Sequence, residues 1–352
     1  MAAHHRSVFS GIIKMKQIDI GRGLKLPLSA VTQVLAFMGK RGAGKTYAAG
    51  KFVEGLVGAR AQVVVVDPVG NWWGLRLAAD GKAPGLSIPV FGGARGDLPL
   101  EPSSGAVVAR AVVERGLSAV LDVSHLRKAG RQRFVTDFAE ELFHLKKTDR
   151  SALHIVLEEA HVFVPQRTHA GQERMLGALE DVIKLGRNYG IGASLLDQRP
   201  QAVHKDVLNQ TECLLAFQLM GFHERKAIEQ WVEDKGVGKG DVAKLSELAV
   251  GTALVWSPQW LGFFGRVKIG RKRTFDASAT PTVGRAERRA GALADVDLDE
   301  LRVAMAATVA KAEADDPKAL RRRIGELERE LADSKARRVG RYLHHATTNG
   351  CV

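Results

Sequence analysis

Residues 34–57 read VLAFMGKRGAGKTYAAGKFVEGLV and predict a buried strand, a glycine-rich turn and a helix. The turn fits the phosphate-binding pattern G-x-x-x-x-G-K-[ST]. Its glycines let the backbone close around an anion, because no side chain then blocks the N–H groups of the loop and of the first helical turn. The residues predicted to cradle phosphate are Gly39, Lys40, Arg41, Gly42, Ala43, Gly44, Lys45 and Thr46.

The last two residues of this P-loop carry the predicted chemistry. Lys45 supplies a positive charge to the β- and γ-phosphates, and the Thr46 hydroxyl is a ligand for Mg²⁺. A chance match to the pattern is expected in about one chain of this length per hundred. The strand before it and the helix after it make chance a poorer explanation. We therefore expect ATP and Mg²⁺ as the bound cofactors.

The composition bounds the class of protein. The chain has 352 residues, of which 45% are hydrophobic and 26% charged, as in a globular protein with one large domain or two. Its formal net charge of +13 suits a polyanionic partner, with nucleic acid first, although a general solubility bias is the alternative. Two distant cysteines, Cys213 and Cys351, exclude a disulfide framework and fit a cytoplasmic location. No apolar run reaches the length of a membrane span.

Buried-strand patterns alternate with helical ones along most of the chain. Runs such as AQVVVVDP at 61–68 and LSAVLDVS at 117–124 are typical of strands covered on both faces. The alternation predicts an α/β fold with a doubly wound, mostly parallel sheet and helices on both faces. The predicted parts are a flexible N-terminus at 1–16, a P-loop domain at 17–275, a linker at 276–296, a helical or coiled-coil tail at 297–340 and a disordered terminus at 341–352.

The tail has a short heptad pattern. Leu320, Ile324, Leu327 and Leu331 step by four, three and four residues, which is the a/d spacing of a coiled coil. Because fewer than two heptads persist, the pattern leaves self-pairing open.

Two adjacent carboxylates follow an apolar strand in HIVLEEAH at 154–161. In a doubly wound sheet they would lie in the crevice at the carboxyl ends of the strands. Hydrolysis needs one acid on the magnesium side and one beside the attacking water, and we assign Glu158 to the first role and Glu159 to the second. Two solvated glutamates that open a helix are the alternative. Asp67 and Asp122 end neighbouring strands and are rivals for the metal-side role.

Four motifs in order, GKRGAGKT, VVVVDPVGNWWGLR, LEEAH and KLGRNYGIGASLLDQRP, resemble the HerA family, which is grouped with FtsK-like translocases among RecA-type motor ATPases. The resemblance covers about residues 17–270. It implies a RecA-like fold, a Walker A loop at 39–46 and a Walker B pair at Glu158 and Glu159. It further implies a polar sensor at Gln198 and an arginine finger, inserted into the neighbouring subunit, at Arg187. Arg199 is a second candidate for the finger.

The chain departs from the family pattern in two places. Walker B usually opens with Asp, whereas Glu158 stands here. Only 33 residues precede the P-loop strand, so we expect no N-terminal β-barrel of the kind that full-length HerA proteins have. Because that barrel is associated with a partner nuclease, a nuclease or other protein partner would instead bind through the tail.

The resemblance and the charge together predict a HerA-like ATPase that acts as a homo-hexameric ring on DNA, double-stranded in preference. A conjugation- or packaging-type motor ATPase is the first alternative, and a slow nucleotide-dependent switch or scaffold is the second. A small-molecule kinase fits least, because the sequence has no acceptor-site motif.

Two further features have more than one interpretation. Trp72 and Trp73 would stack on a base or, as we favour, pack a loop against the core. The basic residues beyond the core would track phosphates or form solvated surface; they are Arg271, Lys272, Arg273, Arg285, Arg288 and Arg289.

Overall fold

The computed structural model describes residues 17–233, 239–278, 298–314, 324–329 and 331. Within them the strands are β1 (Gln17–Gly21), β2 (Leu24–Pro27), β3 (Val34–Met38), β4 (Gln62–Asp67), β5 (Val90–Gly92), β6 (Ala119–Asp122), β7 (Leu153–Leu157), β8 (Ile191–Asp197), β9 (Cys213–Ala216), β10 (Thr252–Ser257) and β11 (Phe263–Lys268). The helices are α1 (Lys45–Gly58), α2 (Gly105–Glu114), α3 (Lys128–Lys146), α4 (Glu173–Lys184), α5 (Lys205–Leu208), α6 (Phe222–Glu233), α7 (Lys239–Ala243) and α8 (Asp299–Ala314).

Nine strands form one sheet in the order β11-β10-β9-β3-β8-β7-β4-β6-β5. The seven strands from β9 to β5 are parallel, and β10 and β11 complete one edge as an antiparallel pair. The hairpin β1–β2 is a separate two-stranded sheet. The prediction of an α/β, RecA-like, mostly parallel sheet is therefore confirmed.

Strand β3 is buried along its whole length because helices cover both faces of the sheet. Successive side chains of a strand point to opposite faces. On one face Leu35 and Phe37 pack in a core with Phe52 of α1, and the Phe37 and Phe52 rings lie 6.5 Å apart between centroids. On the other face lie Ala36 and Met38, which are fully buried. Helix α3 packs against both α2 and α4, and α4 also contacts β8.

The strand order brings three segments to one edge of the sheet. β8 lies between β3 and β7, and all three are parallel. Their carboxyl ends therefore meet at the same edge. The P-loop follows β3, the acidic pair follows β7, and Gln198 follows β8. Side chains that are distant in sequence thus converge on one crevice.

The C-terminal part of the chain belongs to a second compact unit. The division falls between Arg302 and Val303, within α8. In the second unit Ile324, Leu327 and Leu331 are exposed, and Leu320 lies outside the described residues. The coiled coil and the other domain limits stay predictions, since residues 1–16, 279–297 and 332–352 lie outside the described part. Of the helices that the structure describes, none is both long and apolar enough to cross a membrane.

Two glycines of α1 provide a test of how closely this helix packs. A Cβ on Gly55 would overlap Cγ2 of Ile18 in the buried strand β1, whereas a Cβ on Gly58 would meet only Nη2 of Arg273, at 3.6 Å. We expect Gly55→Ala to lower the free energy of unfolding by about 1–3 kcal/mol through overpacking. Gly58→Ala is the matched control and should be neutral or stabilising by less than about 1 kcal/mol. Urea denaturation measures both, and equal effects would contradict the close approach of α1 to β1.

Candidate active site

The P-loop is held open by its glycines and anchored at its start. Gly42 and Gly44 have φ of 76° and 104°, which residues with a Cβ rarely adopt. A Cβ on Gly39 would lie 2.7 Å from Cβ of Phe217, so that position accepts only glycine without rearrangement. The Gly39 N–H donates to the carbonyl of Asp197 at the end of β8. The N–H groups at the start of α1 therefore face an open space suited to an anion.

Glu158 lies where the Walker A threonine can reach it. The Thr46 hydroxyl donates to Oε1 of Glu158 at 3.0 Å, and Nε1 of Trp72 donates to Oε2 at 3.0 Å. The carboxyl is buried, and desolvation raises its pKa to about 8, with Asp67 adding to the effect and Lys45 opposing it. A hydroxyl and a carboxylate form the hard-oxygen donor set that Mg²⁺ prefers, and a cation there would favour the charged carboxylate. The residues thus fit a magnesium site.

Asp67 and Asp122, the alternative metal-side carboxylates, accept hydrogen bonds from the loops that follow their own strands. Asp67 is fully buried, and burial raises its pKa to about 6. Asp122 accepts hydrogen bonds from the backbone and the hydroxyl of Ser124. Neither aspartate lines the cavity described below. The Asp67 carboxylate accepts hydrogen bonds from four backbone N–H groups, those of Val69, Gly70, Asn71 and Trp72. The structure therefore disfavours both as metal-side carboxylates, and Asp67 instead shapes the loop after β4.

Glu159 turns into the same cavity as Glu158. Its φ of 50° lies in the left-handed region, which is uncommon for a residue with a side chain. Nε2 of Gln198 donates to Oε1 of Glu159 at 2.6 Å, and Nζ of Lys45 lies 3.9 Å from the same oxygen. The predicted sensor, the predicted catalytic acid and the P-loop lysine are thus in direct contact.

His161 and Asp197 extend this cluster, although neither was among the site residues predicted from the sequence. Nδ1 of His161 lies 2.8 Å from Oδ2 of the fully buried Asp197 and 3.7 Å from Oε2 of Glu159. The hydrogen bond with Asp197 is the main cause of a raised pKa for His161. His161 lies in the motif LEEAH and Asp197 lies in LLDQRP, directly before Gln198. Their position beside predicted site residues is the sequence feature that could have identified them.

A cavity of about 790 Å³ lies at the carboxyl edge of the sheet, and several predicted site residues line it. Lys45, Thr46, Glu158, Glu159 and Gln198 line it together. Its volume lies within the range of small-ligand sites. Arg41, Gly42 and Gly44 of the predicted P-loop also line it. The other lining residues were not predicted as site residues; they are Tyr47, Val69, Asn71, Val250, Gly251, Asp276 and Ser278.

The two arginines proposed as fingers lie apart from this cavity. Arg187 precedes β8 and Gln198 follows it, so roughly 23 Å of strand separates them. The Arg187 side chain is 63% exposed, and its Nη1 lies 3.8 Å from Oε1 of Glu212. It cannot serve the nucleotide of its own chain. Arg199 is exposed and lines a second cavity instead.

The tryptophan pair and the basic residues beyond the core had two interpretations each. Trp72 and Trp73 are buried, as the packing interpretation requires, and the Trp73 ring lies 5.8 Å from that of Phe275. Lys272 is poorly placed to contact DNA phosphates, because its ammonium lies 5.7 Å from the Tyr47 ring centroid and burial lowers its pKa. The residues Arg285, Arg288 and Arg289 lie outside the described part.

The indole of Trp72 should set the orientation of Glu158. Trp72→Phe keeps an aromatic ring and removes the N–H donor to Oε2. Since groups behind a metal ligand commonly change metal affinity tenfold or more, we expect nucleotide affinity in Mg²⁺ to fall about tenfold and affinity in EDTA to change little. Titration of a fluorescent ATP analogue with and without Mg²⁺ measures this. Trp73→Phe, which removes the neighbouring buried indole, is the control, and an equal loss in both variants would contradict the role of Trp72.

Comparisons with known proteins agree with the geometry. No family model matches the chain. The probable DNA double-strand break repair helicase HerA of Methanocaldococcus jannaschii is 30% identical over 112 residues, which are 32% of this chain and 21% of the relative. The DNA double-strand break repair helicase HerA of Pyrococcus furiosus is 25% identical over 154 residues, 41% of this chain and 27% of the relative. The chain thus spans about a quarter of the length of these curated relatives.

A solved structure shares the fold. The bacterial conjugative coupling protein TrwBdeltaN70 aligns with a TM-score of 0.52 at 10% identity, over 75% of this chain and 91% of that one. At such low identity the likeness shows the fold alone. The two HerA relatives confirm the predicted resemblance to HerA-like proteins, and the solved structure agrees with the predicted fold.

Proposed function

We propose that this chain hydrolyses ATP with Mg²⁺ in the cavity at the carboxyl edge of its sheet and uses the energy to move along or remodel double-stranded DNA. The convergence of Lys45, Thr46, Glu158, Glu159 and Gln198 on that cavity carries the proposal. The two relatives are DNA double-strand break repair helicases by name, which supports DNA as the substrate. The net charge of +13 supports a polyanion. A cytoplasmic location, and a nuclease or other partner bound through the tail, belong to the same proposal.

Each residue has a defined task in this mechanism. The P-loop N–H groups and Lys45 bind the phosphates, and Thr46 and Glu158 would hold Mg²⁺. When bound, the ion neutralises charge on the β- and γ-phosphate oxygens. Glu159 orients the attacking water and accepts its proton, because its carboxylate faces the cavity and lies beside Lys45. Gln198 holds Glu159 in place through its 2.6 Å hydrogen bond and is placed to sense the γ-phosphate.

A homo-hexameric ring would complete the site. Arg187 lies at the opposite edge of the sheet from its own P-loop and is largely exposed. An arginine supplied by a neighbour stabilises the charge of the transferring phosphoryl group. We therefore assign Arg187 to the nucleotide of the adjacent subunit, which would couple hydrolysis around the ring.

The catalytic role of Glu159 can be tested directly. Glu159→Gln should lower kcat by at least about 100-fold, since general-base catalysis contributes about 10²–10⁴, while ATP binding is retained. Glu114→Gln removes an exposed carboxylate at the end of α2 and is the control. Turnover is measured with and without duplex DNA, and we expect DNA to stimulate the wild type. Turnover that ignores DNA would favour the nucleotide switch, and full activity in Glu159→Gln would remove this residue from the mechanism.

If Arg187 acts in the neighbouring subunit, the ATPase activity of mixtures of wild type and Arg187→Ala should depend non-linearly on the variant fraction. Rings of Arg187→Ala alone should lose about 10³-fold in kcat, in the range measured for such arginines. In mixtures with wild type, activity should fall faster than the variant fraction rises, because each variant subunit disables its neighbour's site. Arg22→Ala, at an exposed position in the β1–β2 turn, is the control. Native mass spectrometry reports the oligomer, and a proportional decline or a monomer would contradict the assignment.

A further inference from the structure

A second cavity of about 740 Å³ lies beside the nucleotide cavity. Its walls come from the first turn of α3, from the segment after the acidic pair, and from the segment after β8. Residues that are neighbours in sequence divide between the cavities: Glu159 and Gln198 line the first, and His161 and Arg199 line the second. None of the described residues that line the second cavity is acidic.

Four cations of this cavity have no acidic partner among the described residues. Lys128, Arg131, Arg167 and Arg199 line it, and none of them has a carboxylate oxygen within 4.0 Å in the described part of the chain. Elsewhere α3 and α4 do pair their cations with acids. Those pairs are Arg133 with Asp137, Arg174 with Glu140, and Lys184 with Glu180. Among the described residues, the charges of these four side chains are thus unpaired, whereas those of neighbouring cations on the same helices are paired with acids.

The start of α3 departs from the usual helix preference. A helix N-terminus carries partial positive charge and favours acidic residues, but the first turn of α3 has none and carries Lys128 and Arg131. Nε2 of Gln132 is buried without a hydrogen-bond partner among the described residues, and Gln132 also lines the cavity. An anionic ligand would relieve both features, because it would face the helix N-terminus and accept from the amide.

One wall of the cavity is fixed to the segment that follows β8 and the sensor residue Gln198. The Gln166 N–H donates to the Ala202 carbonyl at 2.8 Å, and the His204 N–H donates to the Val164 carbonyl at 2.8 Å. His161, which lines the cavity, contacts Asp197 and lies 3.7 Å from Glu159. A ligand in the second cavity would therefore bear on a side chain that touches the proposed catalytic acid.

We propose that the second cavity binds the phosphodiester backbone of the DNA and that His161 is a positioning residue that conveys this occupancy to Glu159. The proposal rests on the motor function stated above. Several exposed cations spread around one cavity suit successive phosphates of a backbone, since such contacts fix position without reading sequence. DNA bound there would stimulate ATP hydrolysis by stabilising the orientation of Glu159 through His161.

The DNA contact is tested by the salt dependence of binding. We expect Lys128→Gln/Arg131→Gln to reduce the slope of log K against log[salt] for a DNA duplex by about 2, because each lost phosphate contact removes about 0.9. The control is Lys25→Gln/Lys82→Gln, which removes the same charge from exposed residues outside the cavity and should keep the wild-type slope. Melting temperature and ATP-analogue binding are recorded for every variant, so that a folding defect is recognised.

The positioning role is tested at saturating DNA. In His161→Ala we expect DNA to bind but no longer to raise kcat, with KM for ATP changed less than about threefold. His161→Asn should regain part of the stimulation, because its amide N–H can replace the Nδ1 donor to Asp197. A purely structural role would instead lower the melting temperature of both variants alike, and that result would overturn the assignment.

The remaining outcomes separate this inference from the proposed function. If the wild type neither binds duplex DNA nor responds to it, both the motor and the role of the cavity are wrong. If the wild type responds and the Lys128→Gln/Arg131→Gln variant has the same slope, only the cavity assignment is wrong. Inorganic phosphate is titrated in parallel. Inhibition by phosphate that the variant abolishes, with an unchanged DNA slope, would identify a free-phosphate site and overturn the DNA assignment.

Discussion

The hydrogen bonds of Asp197 tie three strand ends together. Its backbone carbonyl accepts from the Gly39 N–H, and its carboxylate accepts from the N–H groups of His161 and Arg199. Gly39 follows β3, His161 follows β7 shortly after the acidic pair, and Arg199 follows β8. Because Asp197 is fully buried, these bonds are shielded from water, and a polar group that lost its partner there would carry a desolvation cost. The bonds link the P-loop to the segment that follows the two glutamates, and they add to the pairing of the three strands.

The two cavities at this edge differ in electrostatic character, because the first combines cations with acids and the second has cations alone among the described residues that line it. The nucleotide cavity combines Lys45 with a buried carboxyl, and desolvation makes the charged form of Glu158 costly until a cation compensates it. The second cavity has cations without acids among the described residues that line it. His161 stands between them, in contact with Asp197 and near Glu159. A change of charge on either side therefore acts on the same small group of side chains.

The sequence predicted those parts of the site that are local. The P-loop is one contiguous pattern, the parallel sheet follows from alternating strand and helix periods, and Glu158 and Glu159 end a recognisable buried strand. Contacts between segments that follow different strands of the sheet could not be predicted from the sequence. The bond from Trp72 to Glu158 joins residues 86 apart, and that from His161 to Asp197 joins residues 36 apart. Both depend on which strands are neighbours.

A different physical reason applies to the alternatives that the sequence left open and to the arginine finger. Asp67 resembles a metal ligand in sequence, because nothing local reveals that four backbone N–H groups occupy its oxygens. Lys272 resembles an exposed cation until its chain is seen folded back onto Tyr47. For Arg187 the relevant partner would be a second copy of the chain, so neither the sequence nor a single subunit tests its role.

The left-handed conformation of Glu159 limits how this site could be transplanted. In a regular strand two consecutive side chains point to opposite faces, yet Glu158 and Glu159 both line one cavity. The positive φ of Glu159 makes this possible, at a cost of order 1–3 kcal/mol that the surrounding contacts must offset. Placing two consecutive glutamates at the end of another parallel strand would therefore not reproduce the paired carboxylates. A designer would have to copy the reversed turn first, and a search for such sites in unrelated sheets should use that backbone angle as its criterion.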